Sequence, residues 1–465
     1  MRPIGHEGLK GFVYPVIPLT FGGLTLLAGL GAPQAIAMAV FTGIIGGTLL
    51  FWRFRLAFAM VGIFILMGAG LMDVATFIEF ARIDVIAFLL CMMTVIGFLE
   101  ERRFFEVVVD RVLGVGGGSA SRLILILMLM SALSAALVDE VTSILFMMTS
   151  VITLASRFQV PLVPLMLMTV FATNIGSSAT VVGNPIGVMI ALSSGYGFLD
   201  FLRWATPPAI TATLVTYATC FLYYRRFLGE LDVKLRATRE ERVQLARANN
   251  PKSNNRLDRT ALLVFLGVIG GLVLHTPIEE MLKLKKNTML IGVAMAGAGT
   301  VLLLEREKAR DLVEKRVDWW TLTFFMLFFA SVGTLRYTGV TGFISGALTS
   351  AFGRAGEIAV ISVLYSIVGF MTAFMDNVLA VAFWIPVVQE MLASGAVSEK
   401  VWWAMLFAGT YVGNLTMIGS TANIVAIGMV ERQRLGHVSF MGWIKPGLVG
   451  ALVPTAVAIA WLLLV

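Results

Sequence analysis

Charge is scarce in this chain. Asp, Glu, Lys and Arg make up 14% of its 465 residues, against 58% hydrophobic residues, and the mean hydropathy is +0.89. That balance, laid out in repeated apolar runs of about 20 residues, the length that crosses a bilayer, excludes a soluble domain. Cysteine is nearly absent: Cys91 and Cys220 both fall in apolar runs, which argues against a disulfide framework or a metal pair. The three histidines, His6, His275 and His437, read as loop residues, so no metal-ligand cluster is visible. The N-terminus lacks the short apolar core and small-residue cleavage site of a removable signal, so the first span is expected to remain in the mature protein.

What is present is a series of apolar stretches. Eleven read as spans, near 12–30, 34–51, 55–72, 84–99, 161–193, 207–224, 260–275, 287–304, 319–335, 401–430 and 445–464. Two more, 122–156 and 357–394, have polar centres at "LVDEVT" (137–142) and "FMDNVL" (374–379). Each half looks too short to cross, so both are expected to be re-entrant hairpins. With the N-terminus in the cytoplasm and the C-terminus outside, 27 of the 35 Lys and Arg residues fall on the inner side, as the positive-inside rule requires. The basic excess therefore reports orientation in a cell membrane and not a nucleic-acid surface.

The sequence divides into two halves. N-terminal helices over 1–55 precede a first repeat, 56–224, with hairpin 122–156 and broken helix 161–193. A basic cytoplasmic linker, 225–259, leads to a second repeat, 260–465, with hairpin 357–394 and broken helix 401–430. "SALSAALVDEVTSILFMMTSVI" (131–152) answers "GFMTAFMDNVLAVAFWIPVV" (369–388), and "TNIGSSATVVGNP" (173–185) answers "GNLTMIGSTAN" (413–423). The corresponding segments run in opposite directions across the expected membrane, the plan of many secondary transporters. The fold class expected is an all-α polytopic membrane protein, with about 11 transmembrane helices in two inverted repeats, each carrying a re-entrant hairpin and a broken helix. Segments 100–114 and 336–353 can lie along the interface as amphipathic helices.

A helix broken inside hydrocarbon leaves free N–H and C=O groups that protein, water or an ion must satisfy. In the first break Asn174, Ser177, Ser178, Thr180 and Asn184 supply side-chain oxygens, with Gly176 and Gly183 as tight pivots and Pro185 suited to the first turn of the second half-helix. In the second, Asn414, Thr416, Ser420, Thr421 and Asn423 do the same around Gly413 and Gly419. Oxygen-rich loops facing acidic tips suit hard cations such as sodium. Asp84 and Asp318, at helix starts, read as caps.

On "TNIGSSATVVGNP", "GNLTMIGSTANIVAIGMVERQ" (413–433) and the tip Asp376–Asn377, the chain resembles the ion transporter superfamily. That group holds arsenite permeases, NhaD-type sodium/proton antiporters, the melanosomal P protein and sodium–dicarboxylate transporters, and the resemblance is to the arsenite permease, NhaD and P protein branch. It implies a homodimer with scaffold and transport domains, an elevator-like movement, and ion sites at Asp139, Thr142, Asn174, Gly183 and Asn184 in one half. In the other half it implies Asp376, Asn377, Asn414, Gly419, Ser420 and Asn423. Sodium would sit at Asp139, Asn174 and Asn184, and at Asp376, Asn377, Asn414 and Asn423. One departure stands out: the first tip reads Asp139–Glu140 where the pattern has Asp-Asn.

Acids inside a membrane are costly and usually face a cavity. Glu140 reads either as a proton carrier or as a solvent-facing residue at the hairpin tip. Together with Asp139 and Asp376 it argues against a naked dicarboxylate cargo unless cations neutralise the site first. The expected function is secondary active transport coupled to protons, sodium or both, with no cofactor beyond those ions. The cargo would be a small inorganic ion or a neutral hydroxide, by cation/proton antiport or arsenite-like efflux. Sodium-coupled dicarboxylate or citrate transport is the alternative, and an ion channel the alternative of another class. An intramembrane enzyme is disfavoured, because Asp139 and Asp376 lie on hairpins of opposite polarity outside any protease-like Tyr-Asp context.

Overall fold

The computed structural model describes residues 10–464 apart from 12, 116–118 and 247–256. His6 and the Pro/Asn/Ser end of the linker lie outside the described residues. All regular structure among the described residues is helical. Eight of these helices have the length and apolarity to cross a membrane, or nine if the pair Pro185–Ser194 and Phe198–Trp204, bent by 108°, forms one span. Eleven were expected, and the difference has a local cause. The stretches 12–30, 55–72, 161–193 and 401–430 are built from helices too short for a full crossing: Val16–Leu27, Arg55–Gly68, Leu162–Gly176, Lys400–Tyr411 and Thr421–Arg432, of 12, 14, 15, 12 and 12 residues. The stretches 207–224 and 319–335 form helices of 18 and 19 residues, Thr206–Tyr223 and Trp319–Tyr337, that are not among the eight apolar enough to cross.

The hairpin arms differ the other way. Ala120–Leu137, Glu140–Phe158 and Glu357–Phe374, of 18, 19 and 18 residues, each have the length and apolarity to cross. The polar centre that made each half look short is confined to a residue or two at the tip, and helix resumes at once beyond it. Asp139 makes this possible in the first hairpin: extended itself, its carboxylate accepts from the N–H groups of Val141 and Thr142, both at 2.8 Å, donors that a helix start leaves unpaired.

The described residues form two compact units. One comprises Met1–Leu90, Val317–Val360 and Ala382–Glu399. Inside it Phe41 stacks on Phe383 at 4.9 Å, and Arg55 donates to the Thr321 hydroxyl at 2.6 Å while lying over the Trp52 ring. Asp318 caps its helix by accepting from the Thr321 N–H. Asp84 lies in a first helical turn and pairs with Arg82 at 3.0 Å.

The other unit comprises Cys91–Arg316, Ile361–Val381 and Lys400–Val465, and it holds both hairpin tips and both broken segments. Cys91 and Cys220 are free and buried. His275 is not in a loop: it lies within the helix Arg259–Leu282, fully buried, with Nδ1 2.7 Å from the Leu272 carbonyl. The segment from 225 begins as a helix, Arg225–Ala246. Its Asp232 accepts from the Ala120 N–H at 2.9 Å, at the foot of the first hairpin.

Candidate functional site

The break in the first half falls between Leu162–Gly176 and Pro185–Ser194. Asn184 ends it, accepting from the Gly187 N–H at 2.7 Å, and Pro185 follows at the first helical position, where no N–H is needed. The turn is too tight for a side chain at Gly183, where a Cβ would lie 2.2 Å from the Ser177 carbonyl oxygen. In the second half the break runs from Lys400–Tyr411 through a short 3₁₀ turn, Val412–Leu415, to Thr421–Arg432. Ser420 caps that last helix through the Ala422 N–H. A Cβ at Gly419 would lie 2.5 Å from the Gly413 carbonyl oxygen and 2.8 Å from that of Thr372.

Each break is tied to the hairpin of its own half by the same bond. The Thr180 hydroxyl donates to the Ala136 carbonyl, and the Thr416 hydroxyl to the Ala373 carbonyl. Each of these carbonyls stands three residues before a tip aspartate. In each loop the same threonine oxygen then accepts from the N–H two residues on, Val182 and Ile418, both at 3.3 Å.

The halves meet through amides. Asn174 donates to the side-chain oxygens of Asn414 at 2.7 Å and Asn423 at 2.8 Å, and its own oxygen accepts from Ser420 at 3.0 Å. Asn414 donates to the Gly450 carbonyl at 2.9 Å, and Asn423 donates to the carbonyls of Gly413 and Thr416 at 2.9 and 2.8 Å. Asn184 donates to the Ser177 hydroxyl at 2.9 Å. All of these asparagines are buried, so their bonds are made in a setting where an unmade one costs about 1–3 kcal/mol.

Glu140 is the charge at the centre of this cluster. It is 2% exposed, so the solvent-facing reading does not hold. Its carboxylate faces the Ser177 hydroxyl at 3.2 Å, the Asn377 amide at 3.3 Å and the Ser420 hydroxyl at 3.4 Å. Two of these donors have closer acceptors. Ser177 has one proton and stands 2.9 Å from the Asn174 carbonyl; Ser420 stands 3.0 Å from the Asn174 side-chain oxygen. The hydrogen-bonding partners of the carboxylate are thus all neutral and stand at the long end of hydrogen-bond range. In the opposite tip Asp376 accepts from the Val378 N–H at 3.0 Å and from the Thr421 hydroxyl at 2.9 Å.

Of the residues singled out in the sequence, Glu140, Asn174, Asn184, Asn377, Asn414, Ser420 and Asn423 are linked in one network, with Gly183 and Gly419 closing its turns. Asp376 joins it through its neighbour Asn377 and through Thr421. Asp139 and Thr142 stand at the edge, engaged in capping. Sequence reasoning missed the Ala136 and Ala373 carbonyls, although their shared spacing from the tip aspartates was there to be read. It also missed Trp443, whose indole N–H donates to the Asn414 carbonyl at 3.0 Å, and Tyr411, which receives the Ser178 hydroxyl at 3.3 Å.

Comparison with known proteins places these observations in a wider group. A family model described as "CitMHS: Citrate transporter" matches residues 36–408. The chain is 31% identical over 386 residues to a 46 kDa membrane protein of Mycobacterium leprae, covering 81% of this chain and 84% of that one. It is 25% identical over 395 residues to an uncharacterized transporter of Synechocystis, covering 80% and 84%. To the human P protein it is 23% identical over 452 residues, covering 83% of this chain and 54% of that one. Among solved structures the YdaH transporter of Alcanivorax borkumensis shares the fold, with a TM-score of 0.55, 16% identity and coverage of 84% and 86%.

Proposed function

The chain belongs to the CitMHS citrate transporter family and is a multi-pass membrane protein and secondary transporter; on that premise we propose that its transport is coupled to protons, sodium or both at Glu140. The observation that carries this reading is the burial of a carboxylate among hydroxyl and amide partners that are all neutral. A buried charge without a counter-charge is expensive, so Glu140 must take up a proton or lie against a cation. Either event changes its need for Ser177, Asn377 and Ser420, which belong to both halves. The coupling site then comprises Asp139, Glu140, Thr142, Asn174, Gly183 and Asn184 with Asp376, Asn377, Asn414, Gly419, Ser420 and Asn423, sodium using the side-chain oxygens of Asp139, Asn174 and Asn184 and of Asp376, Asn377, Asn414 and Asn423.

The paired bonds Thr180–Ala136 and Thr416–Ala373 support inverted repeats as the plan of the transport machinery. Tips and breaks moving together would give an elevator-like step in a plasma-membrane homodimer, N-terminus inside and C-terminus outside. The negative tips favour a small cation exchanged for protons, or a neutral hydroxide such as arsenous acid. The family description favours a second cargo: citrate, admitted once bound cations neutralise the tips.

The test is reconstitution. Purified protein in proteoliposomes, screened first by thermal shift with sodium, lithium, arsenite, silicate and citrate at two pH values, should move one of these cargoes against its gradient when a proton or sodium gradient is imposed. Glu140→Gln should remove the pH dependence. A wild-type pH profile in that variant rejects the assignment, and currents that never saturate would point to a channel instead.

A further inference from the structure

A cleft of about 360 Å³ opens beside the second arm of the first hairpin, lined by Glu100, Arg103, Glu106, Thr149, Arg316 and Met429. Its charged groups are placed by the end of the helix Ile83–Glu101. Gly97, one turn before Glu100, is the seat of Arg316: a Cβ at Gly97 would lie 2.6 Å from the Arg316 Cβ. So seated, Arg316 holds Glu101 at 3.2 Å and Glu100 only at 3.6 Å. Arg103 is engaged with Glu106 at 2.5 Å. Glu100 therefore has the loosest ion pair of the three acids, and its side chain is also the least exposed, 27% against 34% for Glu101 and 36% for Glu106.

Glu100 also stands next to the coupling site. Leu99 shares a small apolar pocket with Leu137 and Val138 of the first hairpin. The next residue on each segment of chain is Glu100 on one side and Asp139 on the other. Asp139 in turn adjoins Glu140. Thr149 and Met429 bring to the cleft wall the two helices that start at Glu140 and at Thr421.

We propose that this cleft is the inner access route of the coupling cation, with Glu100 as the carboxylate that receives it on the way to Asp139 and Arg316 as the positioning residue. This rests on the function proposed above and adds a path and two residues to it. A cation arriving at Glu100 displaces only a 3.6 Å contact, because Arg316 stays held by Glu101. The cleft's charges balance, Glu100 and Glu106 against Arg103 and Arg316, and its apolar walls, Phe105, Leu145 and Phe146, strengthen the contact that an arriving cation makes with Glu100. The groups facing Glu100 are Arg316 and Glu101, with Arg103 and Glu106 across the cleft and Asp139 behind; Thr149 and Met429 contribute no charge.

The experiment compares wild type, Glu100→Gln, Glu100→Asp and Arg316→Gln in proteoliposomes, with citrate, arsenite and sodium as cargo probes. Uptake is driven by a pH gradient in one arm and a sodium gradient in the other, beside cargo exchange without a gradient. Glu100→Gln should lower driven uptake about tenfold and raise the apparent KM for the coupling cation, while exchange falls by less than about threefold. Glu100→Asp should recover most of the loss, and Arg316→Gln should shift the cation dependence by a smaller amount. The arm that responds identifies the cation. Unchanged cation dependence in Glu100→Gln, or equal loss of driven uptake and exchange at an unchanged melting temperature, overturns the proposal. A wild type that no gradient drives removes the parent reading with it; a driven wild type matched by Glu100→Gln removes this inference alone.

Discussion

Asp139–Glu140 and Asp376–Asn377 occupy the same place in two hairpins. Each aspartate accepts a backbone N–H from the arm that follows, Val141 in one and Val378 in the other. Each hairpin is fastened to the break of its own half by a threonine hydroxyl on a carbonyl three residues before that aspartate. The tips part at the next position, where one has a carboxylate and the other an amide, and those two side chains meet at 3.3 Å. An amide donates and accepts at any pH. A carboxylate in that position is content only while something neutralises it. Two tips that look alike in backbone thus divide the work, one a constant partner and the other a group whose charge can change.

The largest expected effect breaks that division. Glu140→Gln makes both tips amides, and proton- or sodium-driven uptake should fall on the order of 100-fold or more, with the fold retained because glutamine keeps the volume and can still meet Ser177 and Asn377. The reciprocal exchange, Glu140→Asn with Asn377→Glu, sharpens the point. If the position between the halves matters more than which tip bears the acid, driven uptake in proteoliposomes should return in part. No recovery in a well-folded double variant would show that the tips are not interchangeable.

Smaller effects test the shared backbone plan. Asp376→Asn gives up the anion that holds Thr421 across to the second break, whereas Asp139→Asn weakens only a cap. Thermal unfolding in detergent should therefore show the first less stable than the second by about 1 kcal/mol. Thr180→Val and Thr416→Val each remove the donor to a carbonyl beside a tip. They should cost about 1–2 kcal/mol apiece and nearly equal amounts; a large inequality would mean that the matched bonds are not equivalent.

Much of this was legible in the sequence because it is local. The place of each break followed from Gly183 and Pro185, and from Gly419 and Ser420, where a turn must form. The tips followed from isolated acids in apolar runs. What was not legible depends on chain segments hundreds of residues apart. Nothing in "VDEVT" says that Glu140 will face Asn377 or Ser420, since those contacts exist only once both halves have folded together. The arms were read as too short on either side of a polar centre, yet helix resumes within a residue or two of each tip and three of the four arms have the length and apolarity to cross, Asn377–Ala393 being the shorter one. His275 was placed in a loop although it closes the apolar stretch 260–275; the helix continues past it, through Pro277, to Leu282. The cleft at Glu100 was hidden because 100–114 read as an interfacial segment, and nothing local places Arg316 beside Glu100 and Glu101.

The smallest expected effect comes from a carboxylate outside the spans, and it calibrates the others. Asp258 caps the helix Arg259–Leu282 through the Thr260 N–H at 2.7 Å and pairs at 2.6 Å with Arg102, which also holds Glu305 at 2.8 Å. The hydrogen bond from Arg102 keeps its carboxyl below the ordinary value of 3.8. A folded-state value that is depressed contributes stability above the unfolded value, and loses it as pH falls through the folded one. The contribution should therefore be constant near neutrality and fade only as pH drops from about 4 downward. Because Asp258 is about a third exposed, solvent screens the pair and the change in melting temperature should be small. Arg102→Gln should flatten it. Acid titration of the melting temperature in Glu140→Gln should retain this low-pH component while transport loses its pH dependence. If both vanish together, the pH response of transport reflects a loosening fold, and the contrast between the two tips loses its functional meaning.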